Sequence, residues 1–156
     1  NIMNLRIGIV LGSTREGRAS EDVGRWVLEN AKTTEGVSFE IVDIKDFDLP
    51  FLGTTEDMSN VGKWNAKLNE LDGFVFVVAE YNHSMTAALK NALDSARDAW
   101  NNKSAGIVSY GSAGGARAAE HLRGVLSELQ VASVRTHVLL SLFDDFENYK
   151  FKFFST

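Results

Sequence analysis

Apolar residues recur along this chain in two alternating rhythms. Residues 5–11 form a short, almost unbroken apolar run, the mark of a strand, and a Gly/Ser/Arg loop follows to residue 19. Val23, Trp26, Val27 and Ala31 then fall at helical spacing, with Ser20 as a candidate N-cap and Glu21 and Asp22 in the first turn, where a helix favours acidic side chains. The alternation continues. Residues 37–44 predict a second strand, Val61, Trp64, Leu68 and Leu71 a second helix, and residues 74–79 a third strand. Met85, Ala88, Leu89, Ala92, Leu93, Ala96 and Trp100 lie on one stripe and predict a long third helix. Residues 104–110 predict a fourth strand. Ala118, Ala119, Leu122, Val125, Leu126 and Leu129 mark a fourth helix, and residues 131–140 a fifth strand before a Phe-rich tail.

Strands and helices in strict alternation imply α/β architecture, a parallel sheet with helices on both faces. No repeat, low-complexity stretch or linker divides the chain, so residues 1–156 are read as one domain. Strand order follows from polarity. The first, third and fourth runs are apolar almost throughout, as strands covered on both faces must be. The second alternates Val37, Phe39, Ile41 with Ser38 and Glu40, and the fifth alternates Val134, Thr136, Val138 with Ser133, Arg135 and His137, as edge strands do. A five-stranded parallel sheet in the order 2-1-3-4-5 puts both alternating runs outside. Order 3-2-1-4-5 would leave the most apolar run, residues 74–78, at an edge.

Composition narrows the function classes. The 21 acidic residues outnumber 16 basic ones for a net charge of −5, and the basic residues are scattered, which argues against a nucleic-acid partner. There is no cysteine, hence no disulfide, thiolate nucleophile or zinc–thiolate site. His83 lacks a second ligand nearby, so no metal site is expected. The first residues lack a signal-peptide pattern and the longest apolar run, 74–79, is too short to span a bilayer, which together point to a cytoplasmic protein without a membrane partner.

In an open α/β sheet of this order, ligands bind at the carboxyl ends of the strands beside the switch point. That places chemistry on the loops after the first, third and fourth strands. The first is Gly12-Ser13-Thr14-Arg15-Glu16-Gly17-Arg18-Ala19-Ser20. Small residues let backbone amides approach an anion at a helix N-terminus, Ser13 and Thr14 add hydroxyls, and Arg15 and Arg18 can fork onto phosphate oxygens. It is neither a P-loop nor a dinucleotide glycine turn, and its arginines point to a terminal monophosphate such as that of FMN. In the second loop, Glu80-Tyr81-Asn82-His83-Ser84, Asn82 offers donor and acceptor to a heterocycle edge and Tyr81 an aromatic face. Asn82 and Ser84 are alternatively simple helix caps. The third, Tyr110-Gly111-Ser112-Ala113-Gly114-Gly115, leaves room for a flat ring against backbone, or is a plain turn.

Four segments taken together, Gly12-Ser13-x-Arg15-x-x-Arg18, Glu80-Tyr81-Asn82-His83-Ser84, Leu89-Lys90-Asn91-Ala92-Leu93-Asp94 and Ser109-Tyr110-Gly111-x-x-Gly114-Gly115, resemble the NADPH-dependent FMN reductase family over almost the whole chain. The resemblance implies a flavodoxin-like three-layer sandwich. It also implies FMN phosphate held by Ser13, Thr14, Arg15, Ala19 and Ser20 with Arg18 at the rim. The flavin ring would be held by Glu80, Tyr81, Asn82 and His83 and by Ser109, Tyr110, Gly111, Gly114 and Gly115. Two departures stand out. The family usually carries proline before Glu-Tyr-Asn and Pro-Gly soon after, where this chain has Ala79 and Thr86-Ala87, which predicts a looser loop. The stretch from Gly53 to Gly62 is also short, so one wall of the site is expected to differ.

The activity implied is an alternating cycle in which NADPH gives hydride to flavin N5 and a flavin, quinone or azo compound takes it away, with no catalytic side chain required. Two other readings stand beside it: a flavodoxin-type electron carrier and a flavin-free module that binds a phosphorylated ligand. A homodimer or homotetramer is expected from the alanines at 87, 88, 92, 96 and 99. The tail aromatics Phe143, Phe146, Tyr149, Phe151, Phe153 and Phe154 either point the same way or cover the domain's own core.

Overall fold

The computed structural model describes residues 4–152. Strand β1 (Leu5–Leu11) leads through the first loop into helix α1 (Ser20–Ala31), followed by β2 (Val37–Asp43), α2 (Ser59–Asn69) and β3 (Gly73–Ala79). Then come α3 (Ala87–Asp94), β4 (Lys103–Gly111), α4 (Ala116–Glu128), β5 (Val131–Ser133) and β6 (Val138–Ser141). A short antiparallel hairpin, β7 (Phe146–Glu147) and β8 (Lys150–Phe151), closes the described chain.

The sheet runs β2-β1-β3-β4-β5, all parallel, with β6 beside β4 further along. This is the order that polarity predicted, and the reason is visible in β1 and β3. Successive residues Ile9 and Val10, or Val77 and Val78, point to opposite faces, yet all four are fully buried. One face packs Val10, Phe74, Phe76, Val78 and Ile107 against α2, α3 and α4. The other packs Ile9, Leu11, Val77, Val108 and Tyr110 against α1 and the β7–β8 hairpin.

Three expectations are corrected. The predicted long third helix stops at Asp94, although its apolar stripe runs on to Trp100. Its last carbonyls are claimed by side chains: Trp64 Nε1 donates to Ala92 at 2.9 Å, Trp100 Nε1 to Leu93 at 3.1 Å and Asn65 to Ser95 at 2.9 Å. Ser95 Oγ donates back to the Asn91 carbonyl, a bond that competes with helix continuation. Trp100 then resumes the stripe from a separate 3-10 turn, edge-on to Trp64 and Phe74.

The predicted fifth strand is two segments. Ala105 pairs with Ser133 but Val108 pairs with Val138, so four residues, 134–137, span the two positions 106 and 107. Arg123 fastens this excursion by donating to the Ser133 hydroxyl and the Val134 and Arg135 carbonyls, at 2.7–3.0 Å. Ser20, expected as an N-cap, is instead the first residue of α1; Ala19 occupies the cap position without a side-chain bond.

Candidate functional site

The three predicted loops meet at the carboxyl ends of β1, β3 and β4 around a cavity of about 360 Å³, within the size range of small-molecule sites. Arg15, Gly17, Arg18 and Ala19 line it from the first loop, Glu80 and Tyr81 from the second, Tyr110 and Gly111 from the third. Leu142, Phe146 and Tyr149 close its remaining side. A larger groove of about 1030 Å³ lies between α3 and α4 and shares only Ser84 with these loops.

In the first loop the two arginines have separate fates. Arg18 is held inside, its side chain 5% exposed. Nη1 donates to the Ser13 carbonyl and Asp43 Oδ1, both at 2.7 Å, Nη2 to Asp43 Oδ2 and Glu21, and Nε to Glu21 at 3.1 Å. A guanidinium has five N–H donors, and all five are used. Arg18 is therefore already saturated where a phosphate rim contact was expected. The Asp43 carboxylate raises its pKa further, against the opposing effect of burial. Arg15, by contrast, is exposed and makes no hydrogen bond or ion pair among the described residues. Ser13 is buried, its hydroxyl 3.3 Å from Tyr81 Oη; Thr14 is half-buried and lines not this cavity but the neighbouring one beside Lys45. Ser20 Oγ reaches the Ser13 carbonyl at 3.4 Å.

The second loop is a tight turn. Tyr81 and Ser84 exchange backbone hydrogen bonds at 2.8 and 3.1 Å, with Asn82 and His83 both left-handed, φ 48° and 74°, and exposed. The Glu80 side chain turns the other way and is 4% exposed. It accepts from the backbone amides of Arg117 and Ala118 at 3.0 and 3.1 Å and from Arg117 Nε at 2.8 Å. Glu80 thus caps α4 and ties the second loop to the third, leaving ligand contacts to its backbone. Burial alone would raise the Glu80 pKa, but the Arg117 guanidinium and the two amides outweigh it and hold the carboxyl below its ordinary value.

Neither Asn82 nor Ser84 caps α3. Thr86 does: its Oγ1 accepts from Leu89 N–H at 3.0 Å and donates to the Gly12 carbonyl. The residue standing where the family carries proline therefore fastens the second loop to the first. Thr86→Ala is expected to lower stability by about 1–2 kcal/mol, from a lost cap and an unsatisfied carbonyl. Urea unfolding measures it, and Thr86→Ser should recover most of the loss.

In the third loop Gly114 and Gly115 are left-handed, φ 68° and 74°, and Ser109 Oγ bonds the Gly114 carbonyl at 2.7 Å. A Cβ on Gly111 would stand 3.1 Å from the Glu80 Cβ. Tyr110 is buried, packing on Phe146 at 5.6 Å between ring centres.

Sequence reasoning missed Asp43, Arg117, Leu142, Phe146 and Tyr149. Of the two readings of the tail aromatics, core coverage holds for Phe146 and Phe151, which are buried in the domain's own core, while Phe143 and Tyr149 are exposed. Phe153 and Phe154 lie outside the described residues. Tyr149 sits at the tip of the β7–β8 turn with φ 62°, an unfavourable conformation for a bulky side chain, and borders the cavity while 85% exposed. Tyr149→Gly should therefore raise stability by about 0.5–1 kcal/mol by removing left-handed strain. Thermal unfolding checks it, and an unchanged or lower midpoint would refute the strain.

FMN fits these residues on two counts: an unpaired arginine beside a helix N-terminus, and aromatic side chains at the cavity edge. Comparisons with known proteins agree. The NAD(P)H-dependent FMN reductase C4B3.06c of Schizosaccharomyces pombe is 34% identical over 146 residues, covering 88% of this chain and 73% of the relative. A 2-hydroxy-1,4-benzoquinone reductase of a Burkholderia species is 33% identical over 137 residues, 83% of this chain and 74% of the relative. The flavoenzyme FerB of Paracoccus denitrificans shares the fold, with a TM-score of 0.71 at 22% identity over 85% of this chain and 76% of that one. The pattern of the NADPH-dependent FMN reductases matches residues 5–145, and the chain belongs to that family.

Proposed function

We propose that this protein is an FMN-dependent oxidoreductase that takes reducing equivalents from NADPH and delivers them to small acceptors, flavins and quinones foremost. The convergence of the three loops on one cavity beside the α1 N-terminus, with Arg15 left unpaired, carries this reading. Arg15, Ser13, Thr14 and the α1 N-terminus at Ala19 and Ser20 would hold the phosphate. The turn at 80–83 and the loop at 109–115 would hold the ring. Bound FMN supplies reversible two-electron chemistry at N5, which no side chain here provides. The protein's part is orientation: Thr86 and Glu80 fasten the loops to one another, and Leu142, Phe146 and Tyr149 shield one side of the cavity from water.

An electron carrier is the second reading, favoured by the two tyrosines, Tyr81 and Tyr149, that border the cavity. A titration with FMN, followed by NADPH oxidation with and without a quinone, separates them. Micromolar or tighter binding with quinone-dependent turnover is expected. Binding without turnover would favour the carrier, and no binding would refute both.

We also propose a homodimer or homotetramer, with another copy seated on the groove between α3 and α4, where Leu52, Met85, Val125 and Leu129 are apolar. Of the alanines that first pointed to association, Ala92, Ala96 and Ala99 are buried in the domain's own core, so the groove rather than the alanine stripe supports it. A monomer by light scattering at micromolar concentration would refute it. No helix among the described residues is long and apolar enough to cross a membrane; a cytoplasmic setting, where NADPH is available, accompanies the proposed activity.

A further inference from the structure

Tyr149 stands where the chain has least tolerance for it. Phe146 pairs with Phe151 and Glu147 with Lys150, so Asn148 and Tyr149 alone make the turn of the β7–β8 hairpin. Both are left-handed, φ 51° and 62°. A two-residue turn of this kind calls for asparagine followed by glycine, because glycine enters the left-handed region without steric cost. Asn148 meets the first preference and Tyr149 breaks the second. Among the described residues nothing offsets the cost: the tyrosine is 85% exposed, and its side chain has no hydrogen-bond or ring partner there.

The base of the hairpin is nevertheless firmly held. Phe146 and Phe151 are buried with their rings 5.4 Å apart. Phe146 packs on Tyr110 of β4 and Phe151 meets Trp26 of α1, each at 5.6 Å between ring centres. Asp145 locks the approach, its N–H donating to the Ser141 carbonyl and its carboxylate accepting from Ser141 N–H, both at 2.8 Å. An anchored base and a two-residue turn fix where the tyrosine stands, at the border of the cavity formed by the three loops. That side of the cavity is uncharged: Leu142 and Phe146 share it with Tyr149, whereas the cations Arg15 and Arg18 come from the first loop. An aromatic ring there suits the flat, uncharged part of a ligand and not its phosphate.

We propose that Tyr149 is a cofactor contact: its ring covers the uncharged part of bound flavin, and the strained turn persists for that contact at a cost in stability. This rests on the FMN reading given above and adds the β7–β8 hairpin to the loops that hold the cofactor. Strain of this kind is found where function over-determines the backbone, and relieving it stabilises the fold while weakening the site.

That opposition provides the test. Unfolding midpoints of the flavin-free protein, and affinities for FMN and for riboflavin, which lacks the phosphate, are measured on the wild type, Tyr149→Gly and Tyr149→Phe. Tyr149→Gly is expected to raise the midpoint yet to bind both flavins about tenfold more weakly, as for a lost aromatic contact. Tyr149→Phe keeps both ring and strain and should match the wild type in both measurements. Unchanged flavin affinity in Tyr149→Gly overturns the proposal. So does weaker binding accompanied by a lower midpoint, which marks a purely structural role. A loss confined to FMN, or one as large in Tyr149→Phe, also overturns it, because the contact would then belong to the phosphate or to the hydroxyl. A wild type that binds neither flavin refutes the FMN reading itself, and that result is distinguishable because it needs no variant.

Discussion

Gly115→Ala is expected to lower stability by about 2–5 kcal/mol and to abolish flavin binding even where the protein remains folded. Two penalties coincide at this position. The backbone is left-handed, φ 74°, which costs an L side chain about 1–2 kcal/mol. In addition, a Cβ would lie 2.6 Å from the Tyr110 backbone nitrogen and 2.7 Å from the Ser109 Cβ. Neither is the free end of a side chain, so the loop or the end of β4 must move, an overpacking cost of about 1–3 kcal/mol. Gly36 provides the control. It has φ 77° but nothing within 4 Å of its would-be Cβ, so Gly36→Ala should show the conformational penalty alone and leave flavin binding intact. Equal losses for the two variants in urea unfolding would show that the close approach at Gly115 contributes nothing.

The second large effect is expected at Glu80. Glu80→Ala removes the acceptor for two amides in the first turn of α4 and the partner of Arg117, for a loss of about 2–3 kcal/mol. Arg117 is 42% exposed and regains water when its partner is removed, which keeps the cost below that of a fully buried pair. Glu80→Gln keeps an oxygen for the amides and should cost about half as much. The pH dependence has a definite sign. Because the folded-state pKa is depressed, the carboxylate's contribution is complete above the ordinary glutamate range, near pH ~4.3, and disappears as pH falls through the lower native value. The difference in unfolding free energy between wild type and Glu80→Gln should shrink across that acid window. A difference that stays constant there would mean that Glu80 is not held as a carboxylate by Arg117.

Much of this was legible from residue order. The apolar runs at 5–11 and 74–78 are continuous because those strands are covered on both faces, and that alone discriminates between strand orders. The site's location followed, since the switch point of that order lies at the ends of β1 and β3. The loops with unusual composition are the loops that meet there, and close backbone approach favours their small residues.

What escaped was partnership. Helical spacing at Met85 to Trp100 is the same whether the helix runs through or breaks, and only Trp64, Asn65 and Trp100, arriving from other elements, decide that α3 ends at Asp94. Thr86 looked like a missing proline, but its hydroxyl is placed by the fold against the Gly12 carbonyl, 74 positions away. Arg15 and Arg18 are indistinguishable as letters three apart in one loop. Asp43, at the end of a strand adjacent only in the folded sheet, makes one a clamp and leaves the other unpaired. The sequence by itself determined the fold class, the strand order and which loops meet at the carboxyl ends of β1, β3 and β4, because periodicity and side-chain volume are local properties that burial reads directly. Only the tertiary structure decided which charges are already neutralised and which remain free for a ligand, because hydrogen-bond saturation depends on groups brought together from distant parts of the chain.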